Sequence, residues 1–132
     1  MMELKPGIKG TDEVIVTEAN TAKAMGSGTL PVFATPALVA LMEKTAMESV
    51  LDALEEGMGS VGTKICAKHV SATPVGMKVT CVSELVEVVD GRRLVFKITA
   101  SDACGVVGEA DHERFIIRNE KFLAKTNGKN SR

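Results

Sequence analysis

The alternation of apolar and polar residues divides the chain into two regimes. Over residues 36–56 apolar positions recur at helical spacing, and beyond Gly57 the period falls to two. The helical stretch opens on Thr35, whose side-chain oxygen can cap a helix, and on Pro36, whose ring suits a first turn. Gly57 is a natural stop. The first half, ALVALM, is apolar on nearly every side, as a buried helix is. The second half turns amphipathic, with Lys44, Glu48, Asp52, Glu55 and Glu56 available to water. At 1.5 Å per residue such a helix runs about 31 Å.

The period-two regime predicts four strands, at 61–70, 77–88, 94–100 and 106–117. Thr73-Pro74-Val75-Gly76, Asp90-Gly91 and Asp102-Ala103-Cys104-Gly105 separate them, and such short turns require antiparallel neighbours. A further strand is expected at 13–17, a weak helical or turn segment at 19–25, and a flexible loop at Gly26-Ser27-Gly28. One long helix with an antiparallel sheet is an α+β layer arrangement in which the sheet covers the helix. The expected organisation is one domain over 1–132, with a polar tail at 126–132 that frays.

Composition narrows the function classes. With 45% hydrophobic residues the chain can bury a core. Its 16 basic side chains are balanced by 17 acidic ones, and its four aromatics are all Phe. Neither a basic face nor a set of stacking rings is available for nucleic acid. No run of about 18 apolar residues offers a membrane span, and the opening MMELKPGIKG has no apolar stretch of the secretory kind. A cytoplasmic location is expected. Cys66, Cys81 and Cys104 are odd in number and widely spaced, which predicts buried free thiols, with no disulfide framework and no metal set.

Two titratable residues interrupt the apolar pattern. Glu43 has Val39, Ala40, Ala46 and Met47 three and four positions away, and Val50 continues the stripe. This places a carboxylate on the face expected to be buried, where an unpaired charge costs on the order of several kcal/mol and demands a partner. The plainer alternative is a helix rolled far enough for Glu43 to reach solvent. His69 repeats the anomaly on a strand: strict alternation sets it on one face with Val61, Thr63, Ile65 and Ala67, opposite Lys64 and Lys68. A histidine there can simply be a satisfied core residue. A buried carboxylate on the facing helix instead makes the two partners across one apolar cleft. Thr35 is a third polar group, at a helix N-terminus that offers free N–H groups and a positive dipole end.

The segments VFATPALVALMEKTA, SVGTKICAKHVSATPVGMKV, GRRL and HERFII with EKF resemble the fluoroacetyl-CoA thioesterase-like family of hot-dog proteins over residues 32–122. The shared features are a Thr at the helix start, a Glu eight residues later, a His 26 residues beyond that Glu, and the ATPxG turn. The resemblance implies a hot-dog fold, a homodimer with its two helices side by side, active sites at the dimer interface, and hydrolysis of a short acyl-CoA with no metal or cofactor. It assigns Thr35, Glu43 and His69 as catalytic, and it places the Gly62 backbone and Arg114 beside the bound acyl group. This chain departs from the fluoroacetyl-specific branch in its loop from Ala24 to Pro31, which lacks that branch's bulky aromatic groups. Candidates for the coenzyme A phosphates (Lys64, Lys68, Lys78, Arg92 and Arg93) stand out by charge alone.

The chemistry so implied has Glu43 as general base or as nucleophile, His69 carrying a proton, and Thr35, the helix N-terminus and a backbone N–H near Gly62 polarising the thioester carbonyl. Two other readings use the same residues. One is a hot-dog enoyl-CoA hydratase or dehydratase, and the other is a non-catalytic dimer that binds acyl-CoA or another small ligand.

Overall fold

The computed structural model describes residues 2–131. Five strands, β1 (Lys9–Ile15), β2 (Met58–His69), β3 (Lys78–Val89), β4 (Arg93–Asp102) and β5 (Gly105–Arg118), form one antiparallel sheet in the order β1-β3-β4-β5-β2. Asp90 and Gly91 both take positive φ, 54° and 66°, which is the condition for a tight type I′ hairpin between β3 and β4. Among the described residues β2 pairs only with β5, so its other side is a free edge 12 residues long. Helices α1 (Ala22–Met25), α2 (Thr35–Val50) and α3 (Asn119–Asn127) complete the fold. No helix among the described residues is long and apolar enough to cross a membrane.

The sheet curls around α2. Leu38, Met42, Ala46 and Val50 of α2 are fully buried against Val79, Cys81, Leu85, Leu94, Phe96 and Ala100 of β3 and β4. Each large apolar side chain hidden in this way contributes about 1.5–3 kcal/mol. α2 also crosses the backbone of β1 at Gly10, where a Cβ would lie 2.6 Å from Ser49 Cβ and 2.9 Å from the Thr45 carbonyl oxygen. This packing explains the choice of glycine in an otherwise regular strand.

Four expectations change. The helix is shorter than 36–56: it ends at Val50, and a 3₁₀ turn at Leu51–Ala53 reverses the chain toward β2. The 13–17 strand starts earlier, at Lys9. The tail expected to fray from Thr126 instead carries the end of α3 and a 3₁₀ turn at Gly128–Ser131; Arg132 lies outside the described residues. Finally, only Cys81 is a buried thiol. Cys66 is exposed because it alternates with the half-buried Ile65 and Ala67, and Cys104 is exposed in the β4–β5 turn.

Candidate active site

The first half of the site forms where the start of α2 meets the end of β2. Ala34, with extended backbone angles, is the residue that caps α2, and no side chain caps the helix. The expectation that Thr35 caps therefore fails. Thr35 is the first helical residue, and its Oγ1 lies 2.8 Å from Nδ1 of His69. The hydroxyl is drawn to the imidazole in place of the helix's own N–H groups. Phe33 meets the His69 ring edge-on at 6.5 Å between centroids. The other ring nitrogen, Nε2, is buried and has no hydrogen-bond partner among the described residues. Burial pushes the His69 pKa below 6.5, against a smaller opposing effect of the Ser71 backbone, so the ring is neutral at pH 7. A cleft of about 290 Å³ opens beside Thr35 and His69, walled by Ala22, Ser27, Val32 and Phe33.

The second half depends on a β-bulge. Gly62 pairs with Arg114 but Lys64 with Glu113, so Thr63 is an extra residue in β2. The bulge breaks strict alternation: Ile65, Ala67 and His69 share a face with Gly62 and Ser60, while Val61 and Thr63 do not join them. A Cβ at Gly62 would lie 2.6 Å from Glu43 Oε2, 3.3 Å from His112 Cε1 and 3.4 Å from Arg114 Nη1. Glycine is required here so that the carboxylate can rest against the strand backbone. Glu43 Oε2 is 3.7 Å from Arg114 Nη1. Within one chain the Glu43 side chain is 42% exposed, whereas Arg114 is only 7% exposed. Glu43 is thus not on the buried face. The core stripe of α2 is Leu38, Leu41, Met42, Thr45, Ala46 and Val50, and Glu43 sits on a neighbouring stripe with the half-buried Val39 and Met47 and the exposed Ala40.

Arg114 is held from three sides. Its Nε donates to Ser60 Oγ at 2.7 Å, its Nη2 to the Ser60 carbonyl at 3.0 Å, and its Nη1 to His112 Nε2 at 3.1 Å. His112 Nδ1 in turn donates to the Lys64 carbonyl at 2.7 Å. A guanidinium can only donate, so His112 Nε2 must accept, and the ring is fixed in its neutral Nδ1–H form. Burial lowers the His112 pKa, and the Arg114 charge lowers it further. His112 was not singled out in the sequence, although a signal was present. His112 and Arg114 occupy the same strand parity as the buried Ala110 and Ile116, which is as anomalous as His69 on β2.

The two halves do not meet within one chain. Thr35 and Glu43 are eight residues apart on α2, about 12 Å of rise. Gly62 and His69 are seven apart on β2 with one residue bulged, about 20 Å of strand. The expected pairing of Glu43 with His69 across one cleft is therefore absent from the single chain: His69 is partnered by Thr35, and Glu43 by Arg114. Among the described residues no cluster of His, Cys, Asp and Glu has the makings of a metal site.

Comparison with known proteins bears on this arrangement. The chain is 45% identical to the fluoroacetyl-CoA thioesterase of Streptantibioticus cattleyicolor over 98 residues, which is 74% of this chain and 70% of that protein. Its fold superposes on the crystal structure of the fluoroacetyl-CoA-specific thioesterase FlK with a TM-score of 0.90 at 36% identity, covering 97% of this chain and 98% of the other. A thioesterase superfamily member from Thermus thermophilus matches with a TM-score of 0.89 at 26% identity, covering 99% and 96%. These likenesses establish the hot-dog fold, α+β with one central helix. The family model for FlK, the fluoroacetyl-CoA-specific thioesterases, matches residues 16–120, and the chain belongs to that family.

Proposed function

We propose that the protein hydrolyses a short-chain acyl-CoA thioester to the carboxylic acid and free coenzyme A, at sites completed between two copies of the chain. The observation that carries this reading is the separation of the two half-sites along β2, one at each end of a strand whose outer edge is free. A long free edge is a template for a second strand. Two-fold symmetry makes β2 pair antiparallel with its own copy. With the axis near Ile65 and Cys66, Gly62 and Glu43 of one protomer face Thr35 and His69 of the partner subunit. The same docking covers the half-buried Val39 and Met47 and the exposed Ala40 and sets the two α2 helices side by side.

In this homodimer the thioester carbonyl lies between the halves. Thr35 and a backbone N–H near Gly62 polarise its oxygen. Glu43, oriented by Arg114, takes a proton from water as the oxygen attacks the carbonyl carbon, or attacks that carbon itself to form a transient anhydride. The C–S bond breaks, and His69 relays the proton taken from water to the coenzyme A thiolate; in the anhydride route water then cleaves the anhydride, which frees the acid and the Glu43 carboxylate, and that water supplies the thiolate's proton. Coenzyme A is the substrate's carrier, and no metal or cofactor is required. The cleft of about 290 Å³ suits small acyl groups, and beyond the Phe33 wall Ala22, Ser27 and Val32 add no bulky aromatic lid to single out fluorine. Exposed free thiols at Cys66 and Cys104 suit a reducing compartment such as the cytoplasm.

A thiol-release screen over acetyl-, propionyl-, branched, phenylacetyl- and fluoroacetyl-CoA tests this reading. Acetyl- and propionyl-CoA should be cleaved, with fluoroacetyl-CoA preferred by less than about tenfold. Binding without thiol release would identify a binding dimer instead, and water addition to an enoyl-CoA would identify a hydratase.

A further inference from the structure

The cleft beside Thr35 and His69 borrows one wall from the loop that joins β2 to β3. Val70, Ser71 and Ala72 of that loop line it together with Val32 and Phe33. The loop is fixed to the β4–β5 hairpin at two points. At its start the N–H groups of Val70 and Ser71 donate to the Val107 carbonyl at 2.8 and 3.4 Å. Just past the wall, Thr73 is fully buried and donates its hydroxyl to Asp102 Oδ2 at 2.8 Å. Asp102 is the last residue of β4.

The Asp102 carboxylate is divided between two tasks. Its Oδ1 accepts from the Cys104 N–H at 2.8 Å, the local bond by which an Asp shapes a turn. A turn needs no more than that one oxygen. The other oxygen is committed to a hydroxyl 29 residues away in the chain. The Cys104 N–H, and then the Thr73 hydroxyl, hold the carboxyl below 3.8, so it is ionised at pH 7. A hydrogen bond to a charged group is worth about 1.5–3 kcal/mol, more than a neutral one.

The tie continues into the site. The Thr73 carbonyl accepts from the Phe33 N–H at 2.9 Å, and Val32 bridges to Pro74. Phe33 is buried, and its ring is the one that stands edge-on to His69. Two residues further along, Thr35 meets His69 Nδ1. Asp102, Thr73, Phe33 and His69 are therefore consecutive contacts. Neither Asp102 nor Thr73 lines the cleft, so any influence they have passes through Phe33 and the loop. We propose that Asp102 and Thr73 are positioning residues of the hydrolase, which hold Phe33 against His69 and set the width of the acyl cleft. The assignment rests on the acyl-CoA hydrolase reading and adds to it what limits the size of the acyl group.

The test compares wild type with Thr73→Val, which keeps the branched shape and loses the hydroxyl, with Thr73→Ser, which keeps the hydroxyl, and with Asp102→Asn, which has one acceptor oxygen in place of two. In Thr73→Val the half-buried Asp102 can turn its freed oxygen to water, so the variant should fold. For Thr73→Val and Asp102→Asn, kcat on acetyl-CoA should fall at least about tenfold, and the kcat/KM preference for acetyl-CoA over hexanoyl-CoA should fall at least about fivefold. Thr73→Ser should stay near wild type in both. NMR titration of the two histidine rings gives a readout that needs no turnover. Burial alone lowers the His69 value, with no charged side chain contributing, so a loosened Phe33 should let it rise toward 6.5 in Thr73→Val and Asp102→Asn. His112, held by Arg114 and the Lys64 carbonyl, should titrate as in wild type. A lower Tm with the His69 titration and the acyl preference both unchanged would reduce the tie to a structural one and overturn the assignment. So would a Thr73→Ser variant as impaired as Thr73→Val. Absence of thiol release by the wild-type protein would refute the hydrolase reading instead, and the His69 titration would still decide whether the tie reaches the site.

Discussion

Arg114 donates to Nε2 of His112 at 3.1 Å, two residues away on the same face of β5, and thereby fixes a buried histidine in its neutral form. The Lys64 carbonyl takes the other ring proton, so both nitrogens are committed. In return the ring and Ser60 hold the guanidinium at the one place where it meets Glu43. The charge that orients the proposed base is thus positioned by uncharged partners.

This relationship sets a pH dependence of stability. Burial lowers the pKa of both His112 and His69 below 6.5, so the unfolded chain takes up their protons before the folded chain does. Stability rises with pH wherever the unfolded state binds more protons. It should therefore fall as pH drops below about 6.5, until the folded pKa values are passed. Glu43 and Glu113 face His112 and favour its charged form, while Arg114 opposes it. Thermal melts from pH 7.5 to 5 should show the drop, and His112→Gln, which has no titrating proton, should flatten part of it. A wild-type Tm independent of pH across that window would contradict the account.

Gly62 and Gly10 are both tightly packed, yet their alanine variants should behave differently. The Gly62→Ala methyl would collide with the free end of Glu43, which can swing toward solvent. The fold should survive with Tm changed by only a few degrees, and turnover should fall at least about 100-fold. The Gly10→Ala methyl would collide with Ser49 Cβ and the Thr45 carbonyl, neither of which can swing away. That variant should lose about 1–3 kcal/mol of stability while its residual folded fraction keeps its rate. Comparable Tm losses in the two variants would deny Gly62 its functional part.

Thr35 should act through its hydroxyl. Thr35→Val keeps the branched shape and removes the contact to His69 Nδ1, and Thr35→Ser keeps that contact. Since Ala34 caps the helix, neither change should cost a cap's usual share of stability, about 1 kcal/mol. Turnover should fall at least about tenfold in the valine variant and remain near wild type in the serine variant. Equal rates in the two would return Thr35 to a structural role.

Much of this fold was legible in the pattern. One long helix followed by four antiparallel strands could be read from periodicity and turn chemistry, because burial on one face enforces both periods. What escaped depends on single-residue events. One bulged residue, Thr63, moved Gly62 to the inner face and Val61 off it, and no periodicity argument detects such an insertion. α3 has no buried residue, so no core-facing stripe marks it in the sequence. Thr35, Glu43 and His69 stood out in the sequence as polar groups out of pattern, but the contacts they make did not: the single chain pairs His69 with Thr35 and Glu43 with Arg114. His112 was passed over although it shares the strand parity of the buried Ala110 and Ile116.

The composite site predicts complementation between inactive proteins. Glu43→Gln and His69→Ala should each fold and should each lower acetyl-CoA hydrolysis at least about 100-fold. Dimers formed by unfolding and refolding an equal mixture should regain about a quarter of wild-type turnover, since half the dimers are mixed and each holds one intact site. That recovery should be absent when the two proteins are mixed without exchange of subunits. Turnover in the refolded mixture no greater than in the parent variants would show that Glu43 and His69 do not serve one reaction from two protomers.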